Sequence, residues 1–81
     1  MRSIADVVVN RLCTYMNERN LTQYKLAQLS GVPFATIKSI MQRRTKDITL
    51  KTIIMLSDGL GITPSEFLED EDFLAKNLEL N

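Results

Sequence analysis

Apolar side chains recur near the start of the chain at Ile4, Val7, Val8, Leu12, Tyr15 and Met16. Steps of three, four and one trace a 3.6-residue period, which predicts an amphipathic helix over about residues 4–19 with Asn20 at its end. Thr22 suits the N-cap of a second helix, with Leu26, Ala27 and Leu29 facing inward. Gly31 falls where a helix stops on a left-handed residue. Pro33 is placed near the first turn of a third helix, whose apolar face is Ile37, Ile40 and Met41. A polar connection, residues 43–49, leads to Thr49 as the cap of a fourth helix carrying Leu50, Ile53, Ile54, Leu56 and Leu60, with Gly61 as its stop. Thr63-Pro64-Ser65-Glu66 reads as a capping box with proline at the first helical position, and Phe67 and Leu68 anchor a short fifth helix. No segment alternates with period two, so the reading is all-α, five helices with short loops.

The chain has 81 residues, room for one domain. It contains one cysteine, Cys13, and no histidine. A lone cysteine forms no internal disulfide and fits a reducing, cytoplasmic setting, with Cys13 serving as a small hydrophobe on the first helix. Without histidine or a cysteine pair the common zinc spacings are absent, and hydrolytic triads lose their usual base. No glycine-rich phosphate loop replaces them. The expectation is a protein without catalysis, cofactor or metal. No apolar run approaches the roughly 18–20 residues of a membrane span, and Met1-Arg2-Ser3-Ile4-Ala5-Asp6 does not open a signal peptide.

The formal net charge is zero, which taken whole discourages a nucleic-acid reading. Divided, it says the opposite. Residues 1–65 hold nine Lys and Arg against four Asp and Glu, a net of +5; residues 66–81 hold one against six, a net of −5. A basic body with an acidic tail is a different electrostatic object from a neutral protein. Most of the excess follows the third helix, where Arg43, Arg44, Lys46 and Lys51 face only Asp47 in sequence. Neutralising about four phosphates would give a log–log salt slope near −3.6, about a hundredfold in affinity between 50 and 200 mM salt.

Residues 21–32, Leu-Thr-Gln-Tyr-Lys-Leu-Ala-Gln-Leu-Ser-Gly-Val, form a capped short helix that stops on glycine just before a second helix start. That is a helix-turn-helix arrangement, in which Ala27 and Gly31 let the backbones approach. The run L-T-Q-x-x-L-A-x-x-x-G-V-x-x-x-T-I, followed by L-x-T-I-x-x-L-x-x-x-L-G-I-x-x-x-E-F, resembles the phage-repressor/Cro (Xre-type) helix-turn-helix family over about residues 4–69. The resemblance implies a compact five-helix, lambda-repressor-like DNA-binding domain over residues 1–69, with residues 70–81 as a short acidic and apolar C-terminal tail. It also implies a small transcriptional regulator, a repressor, that binds double-stranded DNA with residues 33–42 in the major groove.

In the family the first exposed positions of that helix, and one a turn later, read base edges. Here they are Phe34, Ala35 and Ser39, with Lys38 beside them. Gln23 matches the family's phosphate-contacting glutamine. Thr22, Thr36, Arg43, Arg44 and Lys46 complete the expected phosphate contacts. The residues support the same placement independently, because the first turn of the second helix carries no acid and Lys25 stands where a capping box would put Glu.

The chain departs from the family at two places. Arg43 stands where a glycine usually follows the third helix. Phe34 and Ala35 replace polar base readers, so they can touch a thymine methyl but read no hydrogen-bonding edge. Direct readout is therefore expected to be modest and to rest on Lys38, Ser39 or Gln42. For Phe34 the competing reading is a cap on the core beside the second helix. The acidic run Glu69–Asp72 reads as a solvated tail, and its removal is expected to strengthen non-specific binding. Phe73, Leu74, Leu78 and Leu80 are too apolar for pure solvation; a short helix on the first helix, or on a second subunit, would use them. Two-fold operators would require a homodimer, formed through the fifth helix and tail or on DNA. The rival reading keeps the fold but makes the chain a protein-interaction module, such as an antitoxin that binds its partner through residues 69–81.

Overall fold

Helix starts and stops set the architecture. The computed structural model describes residues 2–80; Met1 and Asn81, which belong to the two segments read from the sequence, lie outside the described residues. Helix α1 spans Ile4–Arg19, α2 Gln23–Ser30, α3 Phe34–Met41, α4 Leu50–Leu60 and α5 Pro64–Phe67, and two single 3-10 turns follow at Glu71–Phe73 and Ala75–Asn77. Ser3, Thr22, Thr49 and Thr63 open four of the helices in one way. Each hydroxyl accepts the amide three residues on, at 3.1, 3.0, 3.2 and 3.1 Å in turn. Each such cap stabilises its helix by about 1 kcal/mol. At Thr63 only this half of the capping box is made; among the described residues no bond returns from the Glu66 side chain.

The stops are equally specific. Asn20, Arg43 and Gly61 each sit after a helix with positive φ, 54°, 58° and 76°. In all three the residue's own amide and the next one fold back on the last carbonyls, as in Leu21 N–H to Met16 O at 2.9 Å and Arg44 N–H to Ser39 O at 2.9 Å. This is the Schellman arrangement. Helix α2 ends more simply, with Gly31 at φ 76° and its amide bonded to Ala27 O at 3.0 Å.

The core is built where these helices cross. Leu12, Leu26, Ile37, Ile40, Leu56 and Phe67 are fully buried, and Cys13 packs half-buried against them. The tightest approach is α2 on α4. A Cβ added at Gly59 would meet the Cβ and backbone of Ser30 at 2.6–2.9 Å, so no larger residue fits there. The close approach expected of Gly31 thus belongs to Gly59, and Gly31 is needed for its left-handed φ. Because this crossing is centred on Leu26 and Ser30, Leu29 turns to the rim and is 47% exposed rather than inward. Leu68 also lies at the surface, leaving Phe67 as the anchor of α5.

The acidic tail is folded. Phe73 packs on Phe67 with ring centroids 6.4 Å apart, and Leu78 is buried. Arg2 pairs with Leu78 in an isolated parallel bridge, its amide bonded to Asn77 O at 3.2 Å and its carbonyl accepting from Glu79 N–H at 2.8 Å. The radius of gyration, 11.8 Å, is the about 12 Å of a compact chain of this length. Instead of a helix the tail makes two 3-10 turns, and two of its acids are spoken for: Asp72 pairs with Arg2 at 2.9 Å and Asp70 faces Arg11 at 3.8 Å. Removing residues 70–81 would therefore strip contacts from the core as well as charge.

Candidate nucleic-acid interface

Three residues, Gly31, Val32 and Pro33, join α2 to α3. Val32 is buried and its amide donates to Ser30 Oγ at 3.1 Å, which fixes the turn from inside. Pro33, at φ −55° and ψ 140°, stands immediately before α3 rather than within its first turn. Burial of Ile37 and Ile40 then sets the roll of α3. Phe34, Ala35 and Lys38 are left exposed on the opposite side, with Thr36 and Ser39 half-buried at its edges.

Helix α2 presents its start beside this surface. Thr22 accepts the Lys25 amide, while the amides of Gln23 and Tyr24 have no acceptor among the described residues. Neither α2 nor α3 carries an acid in its first turn. Two exposed N-termini without a competing carboxylate attract anions.

The cations around the site are not alike. Lys25, Lys38, Arg44, Lys46 and Lys51 are exposed and form no ion pair among the described residues. Arg43 is held: its Nε donates to Asp6 Oδ1 at 2.6 Å and its Nη1 to Met41 O at 3.3 Å. Asp6, from α1, thus opposes the basic stretch alongside Asp47. The Arg43 guanidinium in turn holds the Asp6 carboxyl below the ordinary carboxylate range, helped by the Ser3 hydroxyl. Ser39 Oγ lies 2.9 Å from Thr45 Oγ1, so its hydroxyl ties α3 to the loop that follows.

Three neighbours of this surface escaped the sequence reading. Tyr24, 62% exposed, meets Phe34, 42% exposed, edge to face at 6.0 Å between ring centroids. Asp6 and Thr45 act by contacts across 37 and 6 residues, which no local pattern announces. Phe34 does not cap the core; it lies outside the buried cluster and against Tyr24.

A capped short helix, a three-residue turn and a second helix with one buried and one exposed face define a helix-turn-helix DNA-binding domain. The chain matches the family model of the Cro/C1-type HTH DNA-binding domain over residues 11–72, and it belongs to that family of DNA-binding transcriptional regulators. It is 31% identical over 65 residues to control protein C.SmaI of Serratia marcescens, across 80% of this chain and 76% of that protein. Its fold is similar to the crystal structure of the prophage Lp1 protein 11, with a TM-score of 0.79 and 26% identity over 90% of this chain and 96% of that one. Among the described residues no helix is long and apolar enough to cross a membrane, and no three metal-ligating side chains come together.

Proposed function

We propose that this chain is a sequence-specific regulator that represses transcription by occupying its operator, in the cytoplasm and without a cofactor. Helix α3 lies in the major groove, where Lys38 and Ser39 face base edges and Phe34 and Ala35 offer apolar contact. Phosphates are held by the start of α2 at Thr22 and Gln23, by Thr36, and by Arg44 and Lys46. Arg43 joins them only through the donors that Asp6 leaves over. The observation that carries this reading is which cations are left unpaired: in the body all of them fall between residues 25 and 51, the stretch that runs from the start of α2 through α3 to the start of α4.

Operators of two-fold symmetry call for a homodimer with half-sites one helical turn apart. Leu50 and Leu68 are exposed and line an apolar groove of about 220 Å³, and supply a face that a second copy would cover. The antitoxin-like reading has no observation of its own to favour it.

Selection from random duplex DNA, followed by a salt titration on the winning sequence, tests the reading. A consensus of modest information content with a log–log salt slope near −3.6 per subunit is expected. Lys38→Ala should change which sequence wins. No binding at low salt, or binding indifferent to salt, overturns the reading. A promoter–reporter fusion carrying the selected site then separates repression from activation.

A further inference from the structure

Two large rings at the centre of the interface are not explained by the fold. Tyr24, the second residue of α2, and Phe34, the first of α3, are packed on each other at an interplanar angle of 64° while both face solvent. Neither belongs to the buried core or to the partly buried side chains packed against it. Leaving so much aromatic surface in water is unfavourable unless something covers it. Its surroundings indicate what does. Lys25 follows one ring in sequence, Lys38 lies one helical turn beyond the other, and both are exposed without an ion pair among the described residues. An apolar plate in a cationic frame complements a surface that is anionic at its margins and apolar at one point. In the major groove of DNA that point is the C5 methyl of thymine.

Building on the DNA-binding reading above, we infer that Phe34 is a thymine-methyl reader and that Tyr24 is its positioning residue. The Tyr24 ring packs on the Phe34 ring in a T-shaped contact, so that Phe34 is held in one orientation before DNA arrives. The pair converts a position with no hydrogen-bonding capacity into a selective one. The absence of polar readers at Phe34 and Ala35 is then a change in the kind of readout and not a loss of it.

The test changes the DNA before it changes the protein. Each thymine of the selected duplex is replaced singly by deoxyuridine, which keeps base pairing and removes only the methyl group. At one position per half-site this is expected to weaken binding about four-fold, the worth of one buried methyl, with the other positions indifferent. Phe34→Ala should bring that thymine-to-uracil ratio to one. Tyr24→Ala should reduce it below about two-fold, and Tyr24→Phe, which keeps the ring, should restore it. A site with no fixed A·T pair, a site indifferent to uracil throughout, or a ratio unchanged in Phe34→Ala or Tyr24→Ala overturns the inference while leaving DNA binding intact. Failure to bind any duplex overturns the DNA-binding reading and this inference with it.

Discussion

The basic residues of the body divide by what they touch. At the back of the molecule Arg2, Arg11 and Arg19 are part of the fold. Arg11 donates to the carbonyls of Phe67 at 2.8 Å and Glu66 at 2.7 Å and to the Tyr15 hydroxyl at 3.1 Å. Arg19 donates to Leu60 O at 2.8 Å, and both guanidiniums flank the Tyr15 ring, with Cζ at 5.1 and 5.0 Å from its centroid. These carbonyls lie in the last turns of α4 and α5, where helical donors run out; of the three, Glu66 O also accepts the Glu69 amide at 3.2 Å. At the front, Lys25, Lys38, Arg44, Lys46 and Lys51 touch no acid among the described residues. Arg11 shows what a planar fork adds, binding two carbonyls at once, whereas four of the five front cations are lysines, each a charge on a flexible stem. A net of +5 on the body therefore overstates what the arginines offer to DNA and understates how fully the front is available.

Arg11→Met is the strongest way to break this division. It keeps the aliphatic stem, but leaves the Phe67 carbonyl without a donor among the described residues, the Glu66 carbonyl with only the Glu69 amide and Asp70 with only the Asp72 amide, at a side chain only 15% exposed. A loss of about 2–3 kcal/mol is expected, which lowers the midpoint of thermal unfolding by about 10–20 °C. DNA affinity measured well below that midpoint should be unchanged. If affinity falls while stability holds, Arg11 belongs to the front.

Arg44→Ala and Lys46→Ala should do the reverse. Each is expected to weaken every duplex alike, by about five- to ten-fold at 0.1 M salt, and to make the log–log salt slope shallower by about 0.9. Circular dichroism should find the unfolding midpoint within about 2 °C of the parent, since surface substitutions away from special features cost little. A mutant that loses affinity for one sequence only would instead be reading a base.

The two faces were not equally legible in the sequence. Caps and stops were, because Thr22, Thr49, Thr63, Gly31 and Gly61 act on backbone within three residues of themselves. The register of α1 and α3 was, because period fixes a face; α4 was legible in part, since Ile53, Leu56 and Leu60 are buried but Leu50 and Ile54 lie exposed. Gly59 carried a weak signal, a glycine inside a helical run, whose reason is a neighbour 29 positions away. The pairing of Arg43 with Asp6, the carbonyl contacts of Arg11 and the Tyr24–Phe34 pair had none. Each is a long-range side-chain contact, and a charge count treats bound and unbound cations alike. The tail is misread in part for the same reason: Asp70 and Asp72 read as solvated but lie against Arg11 and Arg2, while Glu69 and Glu71 are exposed as expected.

Arg43 sits on the boundary between the populations, and its backbone offers a smaller test. At φ 58° it pays the left-handed penalty that glycine would not. Arg43→Gly should raise stability by about 0.5–1 kcal/mol, the relief of that conformation less the worth of an exposed ion pair. DNA affinity is expected to fall less than for Arg44→Ala, because Asp6 already occupies part of the guanidinium. An equal loss in the two variants would place Arg43 fully at the front.

The smallest expected effect isolates that pair directly. The Asp6 carboxyl is held below its ordinary value first by the Arg43 guanidinium and then by Ser3. A folded-state value lower than the unfolded one means the pair's contribution is complete above the unfolded carboxyl value of about 3.9. It is lost as pH falls from there through the lower folded-state value. The difference in denaturation midpoint between the parent and Asp6→Asn should accordingly be flat from pH 7 to about 5 and shrink below about pH 4. Taking that difference removes the other carboxylates, which titrate in both proteins. A difference that stays level to pH 2.5 would mean that Asp6 does not hold Arg43 in solution, and the unpaired cations of the front would then number six rather than five.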